Sequence, residues 1–155
     1  MKMIRLILVL GAFLALAACG GGGGGGGGPA APTTASVNVA LTGTGVRGVL
    51  GVITLPAGVT LTADSSGKVP DSSFTSTVSG LSATGYYTAA SGNTPAKLSF
   101  LMTRPTADMP NGDLVKVTFD LASGTAVPAA SAYALSNTAL SDQNGAAVNG
   151  SLSLD

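Results

Sequence analysis

The sequence has no histidine, no tryptophan and no glutamate, and it has a single cysteine. Without histidine the chain lacks the commonest general base and the commonest metal ligand, which excludes Ser-His triads, Cys-His nucleophiles and most zinc sites. The lone cysteine cannot form an internal disulfide. These absences argue against an enzyme, and we expect no cofactor.

Charge is also scarce, because only 9% of the 155 residues are charged and seven basic residues balance seven acidic ones. No excess of positive charge is available to hold a phosphate backbone, so we expect no binding of nucleic acid. All seven acidic residues are aspartate. Serine, threonine, valine, glycine and alanine dominate the chain, and this composition is typical of strands and turns rather than of helices.

The amino terminus has the layout of a secretory signal peptide over residues 1–18. Lys2 and Arg5 precede an apolar run that ends at Ala18 and is shorter than the roughly 20 residues of a membrane-spanning helix. The run ends in Leu-Ala-Ala-Cys, which resembles the bacterial lipobox. We therefore expect cleavage before Cys19 and attachment of lipid to its thiol. An ordinary cleavage site with an incidental cysteine is the alternative.

Residues 19–35 are expected to form a tether between the lipid and a folded domain. An unbroken glycine run occupies residues 20–28, and Pro-Ala-Ala-Pro follows it. Glycine loses more backbone entropy on ordering than any other residue, so this stretch is expected to be disordered. Gly20 stands where lipoproteins kept in the inner membrane of enteric bacteria have aspartate. The expected location is therefore the bacterial cell envelope, at the outer membrane or the cell surface.

Residues 36–155 show alternation with a period of two residues between short turns, which predicts an all-β domain of about nine strands. The strand spacing is typical of a β-sandwich or jelly roll. The strand around residues 49–55 has apolar residues on both faces, and Leu50 and Val52 are expected to be buried on its second face. The expected inward residues are Val37, Val39, Leu41, Val49, Gly51, Ile53, Leu55, Val59, Leu61, Ala63, Leu98, Phe100, Met102, Val115, Val117, Phe119, Leu121, Tyr133, Leu135, Val148, Leu152 and Leu154.

Three segments of this domain resemble cohesin domains. Residues 48–59, GVLGVITLPAGV, are similar to the early cohesin strand pair, and residues 111–119, NGDLVKVTF, are similar to a later strand. Residues 140–148, LSDQNGAAV, resemble the closing hairpin. The resemblance extends over most of residues 36–154. It implies a jelly-roll sandwich of the cohesin and carbohydrate-binding-module superfamily, a non-catalytic binding role and a dockerin-like protein partner.

Acidic and amide side chains cluster at two places where calcium could bind. Asp142 and Asn144 form one candidate metal site, and Asp108, Asn111 and Asp113 form another, because oxygen ligands are those that calcium prefers. The alternative is structural, since Asp and Asn also bond to the backbone two residues further on and so form Asx turns.

Tyr86 and Tyr87 are the one aromatic doublet and the candidate ligand-binding residues. Neighbouring side chains in a strand face opposite ways, so one ring should enter the core and the other should meet solvent. An exposed tyrosine could stack on a sugar, which would suit a polysaccharide ligand.

Two motifs of catalytic or nucleotide-binding type are interpreted as loops. Residues 43–48 satisfy G-x-G-x-x-G, but a β-patterned run follows where a dinucleotide fold requires a helix. Ser65 and Lys68 have the S-x-x-K spacing, but Gly67 lies between them and the companion motifs are missing. Both segments are expected to connect strands.

Together these features favour a lipid-anchored, non-catalytic binding or adhesion module outside the cytoplasm. A carbohydrate-binding lipoprotein and a structural surface protein without a ligand are the alternatives. The contacts with the membrane would be made through the lipid on the amino terminus.

The lipid anchor is directly testable. Two or three acyl chains hold a protein on a membrane almost permanently, at roughly 0.8 kcal/mol for each buried methylene. The wild-type protein should therefore partition into detergent and incorporate a labelled fatty acid, whereas Cys19→Ser should do neither. Secretion of the wild type as an unmodified soluble protein would show that Cys19 is an incidental residue.

Overall fold

The computed structural model describes residues 31–155. Alternating apolar and polar residues form nine β-strands in this part of the chain, and it contains no α-helix. The expected signal peptide (residues 1–18), Cys19 and the glycine run lie outside the described residues. The strands are β1 (Thr34–Gly43), β2 (Gly48–Thr54), β3 (Val59–Thr60), β4 (Phe74–Ser76), β5 (Ser82–Thr88), β6 (Lys97–Thr103), β7 (Gly112–Leu121), β8 (Ala134–Ser141) and β9 (Gly150–Leu154).

The nine strands form two antiparallel sheets. Sheet A has the order β3-β7-β1-β9, with β4 also paired to β7, and sheet B has the order β5-β6-β2-β8. Buried side chains from both sheets belong to one hydrophobic cluster, so the sheets pack face to face, consistent with a β-sandwich. The all-β prediction is therefore confirmed.

The core consists largely of the side chains that the alternation predicts to face inward. The long strand β7 contributes its alternate residues to the core and pairs with β1, β3 and β4, which makes it central in sheet A. Leu121, Leu135, Val148, Leu152 and Leu154 are only partly buried against the cluster, and Ala63 is half-buried outside it. The predicted inward residues that are buried are Val37, Val39, Leu41, Val49, Gly51, Ile53, Leu55, Val59, Leu61, Leu98, Phe100, Met102, Val115, Val117, Phe119 and Tyr133.

The first strand begins slightly earlier than the expected start of the domain at residue 36. Thr34 pairs with Asp120 and Ala35 pairs with Phe119. Ala35 is buried, so the last two residues of the expected tether belong to β1.

The expectation that β2 is buried on both faces is wrong. Val49 and Ile53 face the core and are at most 1% exposed, whereas Leu50 is 51% exposed and Val52 is only half-buried. The reason is that sheet B carries no second layer on its outer face within residues 31–155. A continuous apolar run does not by itself distinguish a strand between two layers from a strand with an apolar outer face.

Two glycines in sheet B make room for aromatic rings. Phe100 pairs with Gly51 on one side and with Gly85 on the other. A Cβ atom at Gly51 would lie 2.5 Å from Cζ of Phe100, and one at Gly85 would lie 2.7 Å from Cζ of Phe74. Side chains at these glycines would collide with the rings, so only glycine permits this packing.

Both edges of sheet B are irregular. The backbone N–H of Tyr87 donates to the carbonyl of Gly67, and the N–H of Val69 donates to the carbonyl of Gly85, so a passing segment covers part of the β5 edge. At the other edge the pairing of β8 with β2 shifts register, and Asn137 has a φ of +50°. The resulting bulge interrupts the edge of β8.

An aromatic pair belongs to the core. The rings of Phe119 and Tyr133 stack with their centroids 5.2 Å apart at an interplanar angle of 29°. The Tyr133 hydroxyl is buried and finds no hydrogen-bond partner among residues 31–155. Burial also raises the pKa of Tyr133. The ring therefore stabilises the core, while its hydroxyl adds a desolvation cost.

Substitutions at this pair should change stability in opposite directions. Phe119→Ala removes a fully buried ring and should lower the free energy of unfolding by about 3–5 kcal/mol. Tyr133→Phe keeps the stack and removes the unpaired hydroxyl, so it should raise the free energy of unfolding by about 1 kcal/mol. Denaturant unfolding of the two variants measures both effects. An unchanged midpoint for Phe119→Ala would contradict its place in the core.

Candidate functional site

The outer surface of sheet B carries a group of exposed apolar side chains among serine and threonine residues. Cross-strand pairing places Thr84, Leu101, Leu50 and Ala139 in one row across the four strands. The neighbouring row runs through Tyr86, Ser99, Val52 and Ser136. We use the name outer apolar face for the residues Leu50, Val52, Tyr86, Leu101 and Ala139.

The exposure of these side chains is unusual for a sheet that meets water. Leu50 is 51% exposed and its cross-strand partner Leu101 is 39% exposed. A depression of about 320 Å³ lies beside them and is also lined by Ala139 and Ala147. Single exposed apolar residues are common, but adjacent leucines next to a depression form a patch that can bind a partner.

Two lysines border the outer apolar face. Lys97 is the only charged residue in the four strands of sheet B. Lys68 pairs with Tyr86 through an isolated bridge, so its side chain leaves the sheet on the same side as that of Tyr86. The face therefore has an uncharged centre with Lys68 and Lys97 beside it, and Asp64 lies in the same turn as Lys68.

The outer surface of sheet A has the opposite character. Ser36 pairs with Thr118, and Asn38 pairs with Lys116. The side-chain amide of Asn38 donates a hydrogen bond of 2.8 Å to a carboxylate oxygen of Asp113. Polar groups cover this surface and bond to one another, so the apolar character is specific to sheet B.

The tyrosine doublet divides between two surfaces, as the alternation predicts. Tyr86 is 53% exposed on the outer apolar face, whereas Tyr87 is half-buried against the core. Tyr87 also lines a cleft of about 440 Å³ together with Pro56, Asn93 and Pro95. The two rings thus cannot contribute to one stacking platform, and each belongs to a different candidate site.

Asp142 and Asn144 lie in the turn between β8 and β9. A carboxylate oxygen of Asp142 accepts the backbone N–H groups of Asn144 and Ala146 at 2.8 and 2.9 Å. The N–H of Gly145, which has a φ of +80°, donates to the carbonyl of Asp142. These bonds are those of an Asx turn, so hydrogen bonds to the backbone account for the position of Asp142 without a metal ion.

The three residues of the second candidate calcium group, Asp108, Asn111 and Asp113, each bond to a different partner. Asp108 accepts a hydrogen bond from Nε of Arg47 at 2.7 Å, and the side-chain oxygen of Asn111 accepts the N–H of Gly43 at 2.7 Å. Asp113 bonds to Asn38 as described above. Within residues 31–155 no three acidic, cysteine or histidine side chains come together in a way that could hold a metal ion.

The two motif-like segments connect strands, as expected. Residues 44–47 join β1 to β2, and no helix follows the glycines. In the other segment a carboxylate oxygen of Asp64 accepts the Ser66 hydroxyl at 2.6 Å and the N–H groups of Ser66 and Lys68. Gly67 has a φ of +84°, so the segment is a tight turn rather than a helical serine–lysine pair.

The exposed leucines are the feature that the sequence reasoning missed. Alternation along β2 and β6 places Leu50 and Leu101 on the strand faces that point away from the inward residues. The sequence therefore contains a signal for their exposure. The apolar run through β2, taken alone, instead predicts burial on both faces. Strict alternation, applied to both strands, predicts the exposed row.

No protein-family model, no curated protein and no solved structure matches the chain. Among the residues that the structure describes, no helix has the length and apolar character to cross a membrane.

The Asp64 turn makes stability depend on pH. Hydrogen bonds, first from the Ser66 hydroxyl and then from the backbone N–H of Lys68, lower the pKa of Asp64 below its ordinary value of 3.8. A carboxyl group with a lowered pKa stabilises the fold above its unfolded pKa, and this contribution is lost as the pH falls through the folded value. The stability advantage of the wild type over Asp64→Ala should therefore be constant near neutral pH and shrink below about pH 4.

Melting temperatures of the two proteins between about pH 2 and 7 provide the measurement. Asp64→Asn is the matched control, because its amide keeps a hydrogen-bond acceptor but cannot titrate. Its difference from Asp64→Ala should stay level over the same range. A wild-type advantage over Asp64→Ala that persists unchanged at the acidic limit would contradict the role of the ionised carboxylate.

Proposed function

We propose that the chain is a lipid-anchored, non-catalytic binding module of the bacterial envelope that binds a protein partner through the outer apolar face. The single observation that carries this proposal is the exposed cross-strand pair of Leu50 and Leu101. The anchor is supported by the lipobox-like sequence before Cys19. A non-catalytic role is supported by the absence of histidine from the sequence.

The chemistry of the face indicates the kind of partner. Leu50 and Leu101 provide an apolar centre that is best covered by apolar side chains, since burial of such area stabilises a complex. Lys68 and Lys97 border that centre, and the strands of sheet B contain no acidic residue. The complementary partner is a protein segment with an apolar centre and acidic groups around it.

The resemblance to cohesin domains supports the same proposal and a finer fold assignment. We propose a jelly roll, in which the chain crosses repeatedly between the two sheets. The order of the strands supports it: β1 belongs to sheet A, β2 to sheet B, β3 and β4 to A, β5 and β6 to B, β7 to A, β8 to B and β9 to A. The resemblance implies a dockerin-like partner for such a domain.

Carbohydrate binding is the second candidate, and the observation that favours it is the exposed ring of Tyr86. A sugar stacks on aromatic rings and needs polar groups around them. Within the outer apolar face Tyr86 is the one ring, and its direct cross-strand partners are Ser99 and Lys68. Polar groups therefore lie beside the ring, but one ring is a small stacking platform, and the leucine pair favours a protein partner.

Cross-linking on intact cells tests the proposed face. A photoreactive amino acid at Thr84, which is next to Leu101 in the same row, should capture a protein partner. Leu50→Arg should reduce that capture by at least about tenfold, because a charge would replace a central apolar contact. Ser36→Arg on the outer surface of sheet A is the matched control and should leave the capture unchanged.

The alternatives give different results in the same set of proteins. Equal loss of capture in Leu50→Arg and Ser36→Arg would contradict the proposed face. Binding on a glycan array that is lost in Tyr86→Ala and retained in Leu50→Arg would favour the carbohydrate candidate instead. Failure of the wild type to capture a protein or bind a glycan would favour a structural surface protein.

A further inference from the structure

The outer edges of the two sheets differ in whether they can accept another strand. Within residues 31–155 both edges of sheet B are irregular, as described above. At one edge of sheet A, β3 has two residues and β4 has three, and both pair with β7. The other edge of sheet A is β9, which pairs with β1 over five residues without a register shift. A short or irregular edge resists pairing, so β9 is the edge that can accept another strand.

Alternate backbone groups of β9 point away from β1. The N–H of Asp155 donates to the carbonyl of Asn38 at 3.0 Å, and the N–H of Asn38 donates to the carbonyl of Asp155 at 2.9 Å. In an antiparallel ladder such bonded pairs recur at every second residue, so the two serines of β9 also bond to β1. The N–H and C=O groups that point outward, without a backbone partner among residues 31–155, are those of Gly150, Leu152 and Leu154.

The edge is open because β8 and β9 separate soon after the turn that joins them. The N–H of Val148 donates to the carbonyl of Leu140 at 3.1 Å. From there β8 pairs with β2 in sheet B, whereas β9 pairs with β1 in sheet A. Leu152 and Leu154 pack against the core at this edge and are only half-buried. A further strand beside β9 would cover more of both leucines.

The sequence of this edge is complementary to itself in antiparallel order. Residues 149–155 are Asn-Gly-Ser-Leu-Ser-Leu-Asp. Antiparallel pairing with a second copy, centred on Leu152, places each Leu152 opposite the other and each Ser151 opposite a Ser153. It also places Asn149 opposite Asp155, so an amide meets a carboxylate and no two like charges face each other.

The glycine of β9 suits the same arrangement. The pairing places Leu154 of the second copy opposite Gly150, on the side of the core. A Cβ atom at Gly150 would lie 2.6 Å from Cδ1 of Leu140, so Leu140 occupies the space that a side chain at position 150 would need. Leu154 of the second copy would therefore meet an apolar side chain across the glycine.

From these observations we propose that the β9 edge binds a second copy of this chain, with the two β9 strands antiparallel and centred on Leu152. The two sheets A then form one continuous sheet. Pairing provides partners for the outward N–H and C=O groups and covers the half-buried leucines. The assembly closes at two copies, because the opposite edge of sheet A consists of the short strands β3 and β4.

The proposed dimer has a consequence for the outer apolar face. Its two-fold axis is perpendicular to sheet A, because the core-facing leucines of both β9 strands lie on the same side of the continuous sheet. Both copies of sheet B lie on that side as well, so the two outer apolar faces point in the same direction. Two such faces can bind two sites of one partner, which raises the overall affinity without any new contact.

Paired charge substitutions test the dimer. Sedimentation of the full-length protein in detergent, over a range of concentrations, gives the dissociation constant. Ser151→Lys with Ser153→Lys places lysine opposite lysine and should weaken the association by at least about fivefold. Ser151→Lys with Ser153→Glu places lysine opposite glutamate and should associate at least as tightly as the wild type. Thr34→Lys with Ser36→Lys, at the same spacing on the outer surface of sheet A, is the matched control and should leave the association unchanged.

Disulfide cross-linking tests the register. Ser151→Cys and Ser153→Cys are made in separate proteins, which are oxidised alone and as a mixture. The proposed pairing places position 151 directly opposite position 153, within reach of a disulfide, whereas equivalent positions lie about 7–8 Å apart on the diagonal. The mixture should therefore form the cross-linked dimer several times faster than either protein alone. The wild type, oxidised in the same way, measures any cross-linking through Cys19.

The other outcomes overturn the inference. A wild type that remains monomeric up to about 0.1 mM would overturn the dimer. Equal weakening by the Lys–Lys and Lys–Glu pairs, in variants that melt near the wild-type temperature, would show that the β9 strands do not pair as proposed. Cross-linking that is no faster in the mixture would overturn the register centred on Leu152. Each of these results leaves the proposed partner site at Leu50 and Leu101 intact, because that site lies on the outer surface of sheet B.

Discussion

The packing of the Phe100 ring against Gly51 is the contact on which the arrangement of sheet B depends. The sequence has only seven phenylalanine and tyrosine residues and no tryptophan, so few rings fill the core. A Cβ atom at Gly51 would lie 2.5 Å from Phe100, and this fixes which residue of β2 faces the ring. Because side chains alternate along a strand, the same register turns Leu50 outward. The exposed leucines are thus a consequence of the way the core is filled.

Much of the fold could be predicted from alternation, because inward residues such as Val117 and Phe119 recur every second position in strands that contact one other layer. The extent of each strand was harder to predict. β3 contains only Val59 and Thr60, although the apolar pattern continues to residue 63, because Thr62 bonds to the Asp120 side chain rather than continuing the ladder. The candidate site was harder still, since a sequence does not state whether a further layer covers the second face of a strand.

Aspartate has a structural role at the positions where the sequence suggested chemistry. Asp64 and Asp142 each accept N–H groups from the residues two and four positions later, and a glycine with positive φ follows three positions after each aspartate. The two turns are built in the same way, although one resembled a catalytic motif and the other a calcium site. In both turns a short polar side chain takes the place of a backbone hydrogen-bond partner. This explains why one turn resembles a catalytic motif and the other resembles a calcium site.

The interruptions at the edges of sheet B would have a consequence for the protein if it is anchored to a membrane as proposed. An open, regular strand edge invites another copy to extend the sheet, and crowding in two dimensions favours such polymerisation. The segment at Gly67 and Val69 covers part of one edge, and the bulge at Asn137 interrupts the other. For a protein anchored as proposed, these interruptions would hinder neighbouring copies from extending sheet B edge to edge, while the broad surface of that sheet would stay available.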